Sequence, residues 1–460
     1  MMPYPILNKK IHEALYGPVK ILPERVMQFG TGVLLRGLPD YFIDKANKIG
    51  IFNGSIVIVK STKSGTVNEY EEQDGLFTHV IKGILDGKPI DNFVINTSIS
   101  RVVLANSQWG EVIALAKSPD LKVIISNTTE AGVVFDGNDI INENSPSSFP
   151  GKLLHVLFER WKHFSNNTSL AGLVILPTEL LPDNGKLLLD IVVRLAKVNQ
   201  LPEVFISWIP TANDFCNTLV DRIVPGKLSD AAQLEVEQKL GFKDNLLISS
   251  EPFALWAIET NRIETKALLS FSTIDSSVVL APSIFKFREL KLRLLNGTHT
   301  FCCGIAILAG FETVKQAMAD ADFRKFMETL LFTELVPCVV NDDITYEEAN
   351  SFSSSVIDRF SNPTIEHKWT SIATGFLEKM KMRNVPLIEK YSILKNTNQS
   401  YMSLGFAAFC VYQEKRGAPI SMHDFTKNIE FVKEVFKWVE LIKLNGMMVA
   451  LHEFVNNSDS

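Results

Sequence analysis

Apolar residues come in two textures along this chain. Up to about residue 280, short runs rich in valine and isoleucine alternate with stretches of helical spacing. Glu24 to Phe29 ends in Val26-Met27-Gln28-Phe29, a run of strand length, and Ser55-Ile-Val-Ile-Val-Lys60 repeats it one helix later. Other buried-strand candidates are Phe93-Val-Ile95, Leu121-Lys-Val-Ile-Ile-Ser126, Leu173-Val-Ile-Leu176 and Val204-Phe-Ile-Ser-Trp208. Helical spacing begins at Val33 and runs on towards Ala46, and returns at 110–116 and 152–163. Val/Ile-rich strands alternating with helices predict a parallel sheet between helical layers. Past 280 the stretches 313–331, 370–382 and 428–444 read as helices, and strand patterns become rare. The expectation is an α/β protein. Residues 1–280 would form a Rossmann-type domain with a mostly parallel sheet, and 281–460 a mostly α-helical domain, with the active site in the cleft between them.

The bulk numbers fit that division. A chain of 460 residues suggests two or three domains. With 46% hydrophobic and 21% charged residues it has the profile of a soluble globular protein with a sizeable core. The net charge is −6 and no basic stripe appears, which argues against nucleic acid as a partner. The N-terminus has no apolar core of a signal peptide, and no uninterrupted apolar run reaches membrane-span length. Cys216, Cys302, Cys303, Cys338 and Cys410 are odd in number and contain no C-x2-C pair. That argues against a disulfide framework or a structural zinc, and for a reduced, cytoplasmic setting.

Between the first two strands stands Gln28-Phe29-Gly30-Thr31-Gly32-Val33-Leu34-Leu35-Arg36. Strand, glycine turn, helix is the context of a dinucleotide fingerprint. Gly30 would permit the tight turn, and Gly32 would let the backbone approach a pyrophosphate at the helix start. Leu35 stands where the third glycine would be, so the strict pattern fails and a plain turn competes. Arg36 would reach phosphate or pair with an acid. The second strand ends in Lys60-Ser-Thr-Lys63, without the acid that would hold the ribose of NAD, so NADP is not excluded. Asn127 and Thr128 follow the strand Val123–Ile125, where ligands of open α/β sheets lie; capping the next helix is the other use, for Thr128 or Thr129.

Lys291-Leu-Arg-Leu-Leu-Asn296-Gly-Thr-His299 brings an amine, a carboxamide and an imidazole within nine residues. A lysine can exchange the proton of a hydroxyl, an asparagine can donate to the oxygen as charge develops, and a histidine can hold a neighbouring hydroxyl. On an α-helix the three point within a wedge of about 140°. An ordinary amphipathic helix would show the same leucines. Asp221, in Asp214-Phe-Cys-Asn217-Thr-Leu-Val-Asp221-Arg222, would contact substrate hydroxyls or pair with Arg222. Arg359, His367 and Lys368 would hold a carboxylate or lie on a surface turn. The other histidines are scattered and suggest no metal site.

Taken together these segments resemble the mannitol dehydrogenase family of polyol-specific long-chain dehydrogenases. The resemblance rests on Lys291-x4-Asn296-x2-His299 and on Phe29-Gly-Thr-Gly32, which shares the family's missing third glycine. Gln73-Asp-Gly-Leu-Phe-Thr78, Ser126-Asn-Thr-Thr-Glu-Ala-Gly132, Phe215-Cys-Asn-Thr-Leu-Val-Asp-Arg-Ile223, Leu295-Asn-Gly-Thr-His-Thr300 and Arg359-Phe-Ser-Asn-Pro363 extend it over about residues 25 to 370. It implies an NAD(P)-dependent oxidoreductase acting on a small sugar acid. The reaction would interconvert tagaturonate and altronate without a metal, with Lys291 as general acid and base. Fructuronate/mannonate and mannitol/fructose remain alternatives within the family, and a non-catalytic dinucleotide sensor outside it. The implied catalytic residues are Lys291, Asn296 and His299. The implied cofactor contacts come from Gln28 to Leu34, Arg36, Asn127 and Thr128, and the substrate contacts from Asp221, Arg359, His367 and Lys368. Mannitol-type members carry a Cys-Asp-Asn-like element where this chain has Thr178-Glu179-Leu180, which argues against mannitol. A monomer and a dimer are both open.

Overall fold

The computed structural model describes residues 4–61, 67–128, 132–165, 170–395 and 400–457. They form two compact units, Met1–Lys82 with Asp91–Ile284, and Gly83–Ile90 with Phe285–Ser460.

The strands, in chain order, are β1 (Glu24–Phe29), β2 (Ser55–Lys60), β3 (Phe77–Leu85), β4 (Lys88–Asn96), β5 (Ile99–Leu104), β6 (Val123–Ser126), β7 (Val174–Pro177), β8 (Asp214–Phe215), β9 (Thr218–Asp221), β10 (Ile248–Ser250), β11 (Leu255–Glu259) and β12 (Val278–Ala281). Six of them make one sheet in the order β5-β2-β1-β6-β7-β8, and every pairing in it is parallel. This is the doubly wound dinucleotide-binding order, whose direction of winding reverses between β1 and β6. β2, β6 and β7 are buried throughout, as expected of strands covered on both faces.

Three expected elements differ. Val204–Trp208 is not a strand but part of the helix Glu203–Ala212. Pro202 sets the entry, and Phe205, Trp208 and Ile209 bury one helical face. An unbroken apolar run reads alike for strand and helix. Phe93–Ile95 is a strand, but it lies in β4 on the edge of a small β10-β3-β4 sheet, with Phe93 exposed. The helix expected from Val33 to Ala46 is broken at Leu38 into Val33–Gly37 and Pro39–Lys48. Pro39 lacks an N–H and opens the second piece instead of continuing the first.

The second unit is helical around one apolar core. Its central helix runs from Phe285 to Ala309, and most of its apolar stretch is buried in that core. Gly304 packs against the backbone of Ala408 and Phe409, and Gly405 against Phe301, so two helices approach too closely for any larger side chain. Three stretches have π-helical bonding: Leu290–Asn296, Leu330–Leu335 and Met380–Asn384.

Candidate functional site

In the first unit Gln28 to Leu34, Asn127 and Thr128 gather where β1 and β6 end, while Arg36 and Asp221 do not. Gly30 adopts φ +131°, and a Cβ there would meet Asn127 O at 3.1 Å and Leu35 Cδ1 at 3.0 Å. Only glycine fits. Gly32 is the N-cap of the helix Val33–Gly37, and a Cβ on it would meet no atom of the described residues within 4 Å. Gln28 and Phe29 are buried in β1; Gln28 donates to Asp40, at 3.4 Å. Thr31, Val33 and Leu34 lie on the turn and the first helical positions, and Thr31 O accepts from Tyr70 Oη.

The strand ends are braced from within. Asn127 Nδ2 donates to Thr178 O and Oγ1 at 3.1 and 3.0 Å. Thr128 N donates to Glu179 Oε1 at 2.8 Å, and Ser126 Oγ donates to its Oε2. Burial raises the Glu179 carboxyl above its usual range even though these donors favour its charged form. Arg36 is buried in the domain. It donates to Leu246 O and lies over the rings of Tyr70 and Phe77, a position that serves packing rather than the helix start. Asp221 is buried on β9, paired with Leu255 of β11. Arg222 beside it donates to Glu251 O and Gly37 O. Lys60 is buried; Thr62 and Lys63, like Thr129 to Ala131, lie outside the described residues.

The second unit holds Lys291, Asn296 and His299 on its central helix. Regular α-helical angles do not apply, because Leu290–Asn296 is π-helical. Its bonds step five residues, so positions 291 and 296 stand one turn apart and the wedge is narrower than the α-helical one. Asn296 ends the π-helical stretch and the α-helix Gly297–Ala309 continues from it; its backbone O accepts the Thr300 hydroxyl at 2.8 Å. The Asn296 carboxamide is partly exposed and makes no hydrogen bond among the described residues.

His299 is buried. Its ring stacks on Phe360 and meets His367 and Trp369 edge-on, at 5.1 and 5.9 Å between centroids. Its Nε2 is buried without a partner among the described residues. Burial first, and then the positive fields of His367, Arg359, Arg383 and Lys379, push its pKa well below the ordinary value. The imidazole is therefore neutral. Arg359 is buried near it; His367 is partly buried and also held down by burial and by Arg359 and Lys379; Lys368 is exposed at the start of the helix Trp369–Ile372.

Lys379 and Arg383 escape a reading of the sequence. They sit one helical turn apart in Lys379-Met-Lys-Met-Arg383, which looks like a solvated helix face. Two contacts dock the π-helical Met380–Asn384 onto the central helix instead. Asn384 Nδ2 donates to Gly297 O at 3.0 Å, and Arg293 Nη1 donates to Met382 O and Arg383 O at 2.8 and 2.9 Å.

Comparison with known proteins follows the same division. The family model described as the mannitol dehydrogenase Rossmann domain matches residues 24–269, and that of the mannitol dehydrogenase C-terminal domain matches 283–453. A protein of Halalkalibacterium halodurans named altronate oxidoreductase is 40% identical over 392 residues, 85% of this chain and 75% of its own length. One of the same name from Bacillus subtilis is 34% identical over 428 residues, 93% of this chain and 87% of its own. Among solved structures, a D-sorbitol dehydrogenase in substrate-free form superposes with a TM-score of 0.80 at 19% identity, over 97% of this chain and 100% of its own. The mannitol 2-dehydrogenase of Pseudomonas fluorescens, in ternary complex with NAD and D-mannitol, gives 0.70 at 21%, over 98% and 99%. At those identities the likeness is one of fold.

Proposed function

We propose that this chain, which belongs to the mannitol dehydrogenase family, is a sugar-acid oxidoreductase that interconverts tagaturonate and altronate with a nicotinamide cofactor. The observation that carries the reading is the setting of Lys291, Asn296 and His299. A proton carrier, an amide donor and a neutral imidazole follow one another on the central helix, and cationic side chains surround the imidazole. A carboxylate-bearing substrate suits that charge, and the curated relatives named altronate oxidoreductase support the same substrate.

The glycine turn fits a dinucleotide: Gly30 is forced by its neighbours, Gly32 is clear of the other described residues, and both stand at the winding reversal of the sheet. In this reading Gln28 to Leu34, Asn127 and Thr128 frame the cofactor. When bound, NADH supplies the hydride that reduces the keto carbon. Lys291 Nζ gives a proton to the carbonyl oxygen in reduction and takes it back in oxidation. Asn296 donates to that oxygen as charge builds, and loss of such a donor costs about 10²–10³ in turnover. His299 holds an adjacent substrate hydroxyl through Nε2. Asp221, Arg359, His367 and Lys368 supply further substrate contacts, and no step is assigned to a metal.

The test follows NADH and NADPH oxidation with tagaturonate, fructuronate and fructose. Both cofactors are needed because no acid ends β2. The expected result is turnover of tagaturonate, lost in Lys291→Ala with NADH affinity kept. Turnover of fructuronate or fructose alone moves the substrate within the family. A folded protein that binds NADH and turns over none of them is a dinucleotide sensor, and wild-type turnover in Lys291→Ala removes the lysine from the mechanism.

A further inference from the structure

Arg383 is held beside the catalytic helix by contacts that leave its charge uncompensated. Its Nη1 lies 3.4 Å from Thr300 Oγ1, whose own hydroxyl donates to Asn296 O. Asn384 and Arg293 anchor its backbone segment to the same helix. Its Nε is buried without a partner, and no carboxylate pairs with Arg383 or Lys379 among the described residues. Lys379, one turn earlier, spends a hydrogen bond on Ile372 O at 2.9 Å and adds a second positive charge.

Placing a guanidinium half out of water without an acid is costly, and protein interiors rarely keep such an arrangement unless an anion completes it. A guanidinium offers a planar fork that matches a carboxylate through two parallel hydrogen bonds, which an alcohol cannot use as well. From this geometry we infer that Arg383 is the specificity-determining residue that reads the terminal carboxylate of the substrate, with Lys379 as its electrostatic support. The inference rests on the sugar-acid reading above and narrows it: the hydroxyl chain meets the Lys291–Asn296–His299 helix, and the acid end meets Arg383. An alditol or neutral ketose of the same length lacks the group that completes the site. Burial lowers the Arg383 pKa somewhat, and no neighbouring acid opposes that shift.

Two measurements separate this inference from the reading it rests on. The first is tagaturonate kinetics of the full-length wild type, Arg383→Gln and Arg383→Lys. Arg383→Gln should raise KM at least about 30-fold while kcat at saturation changes by less than about 3-fold, and Arg383→Lys should recover part of the loss. An unchanged KM in Arg383→Gln overturns the inference while the activity stands. The second is calorimetric binding of gluconate against sorbitol, which differ only in the terminal carboxylate. The wild type should prefer the acid, and Arg383→Gln should bind both alike. This holds even if tagaturonate is not turned over, an outcome that overturns the substrate reading alone. A wild type that binds gluconate no better than sorbitol, or an Arg383→Gln variant that keeps the preference, overturns the role of Arg383.

Discussion

The imidazole of His299 lies flat on the ring of Phe360, with centroids 3.9 Å apart and planes 14° from parallel. The stack fixes the ring plane and hides it from water. Burial, and then the positive fields of His367, Arg359, Arg383 and Lys379, disfavour taking up a proton. An acidic limb in kcat/KM between pH 5 and 7 should therefore not belong to His299. His299→Asn should lower kcat/KM and leave the position of any such limb unchanged. A limb that vanishes in the variant shows that the imidazole titrates during turnover.

The same burial links pH to stability. His79 and His299 have pKa values well below the ordinary value, and His155 and His367 are lowered too, in each case chiefly by burial. Folded, they give up their protons more readily than in the unfolded chain, His79 and His299 most of all; unfolded, they take a proton below about pH 6.5. Their contribution to stability is complete above that pH and is lost as pH falls through it. Each adds up to about 1.4 kcal/mol per pH unit to the slope. Denaturant unfolding from pH 7.5 down to 5 should show stability falling. His79→Gln should flatten the slope, and an identical slope in that variant removes His79 from the account.

Gly30 and Gly32 separate two jobs that one glycine turn performs. Gly30→Ala places a Cβ against Asn127 O at φ +131° and should cost about 1–3 kcal/mol of stability together with the cofactor. Gly32→Ala meets no atom of the described residues within 4 Å. It should leave the melting temperature within a degree or two while weakening NADH binding by about tenfold or more, because the added methyl occupies ligand space. Fluorescence titration with NADH beside thermal melts measures both. Unchanged affinity in Gly32→Ala removes the turn from the cofactor site.

How far the sequence speaks for itself depends on what each residue faces. β1, β2, β6 and β7 are legible because they are buried on both sides and read as Val/Ile runs. β5 is not, because it is an edge strand whose Ser100 and Arg101 bond Glu24, and the polar pair breaks the pattern. The spacing of Lys291, Asn296 and His299 is visible in the chain, but their π-helical register is not: nothing in Leu-Lys-Leu-Arg-Leu-Leu-Asn departs from an α-helical pattern. Arg383 is invisible for a different reason. Its importance comes from a non-local contact with Thr300, 83 residues away, that no local spacing encodes. Arg36 misleads in the opposite sense, since its place one turn past the glycines suggests phosphate while its guanidinium turns to Leu246 O.

Asp40 gives a prediction of opposite sign from the histidines. It is fully buried in the helix Pro39–Lys48 against Gln28 of β1, and its carboxyl is pushed up to about 8 by burial and by Asp44, against the pull of Gln28 and Arg36. Its Oδ1 and the Oε1 of Gln28 are both buried without partners among the described residues. A proton on Asp40 gives the pair a donor for one of those acceptors. Folded, the carboxyl keeps this proton up to about pH 8; unfolded, it loses it near the ordinary 3.8. Stability therefore falls as pH rises between those values and levels off above 8. Asp40→Asn supplies a permanent donor and removes the titration. The variant should match the wild type near pH 4.5 and exceed it by at least about 1 kcal/mol at pH 8.5, read from urea unfolding at both pH values. An Asp40→Asn protein that loses stability by the same amount at both pH values would show instead that Asp40 is ionised in the fold and held by Arg36.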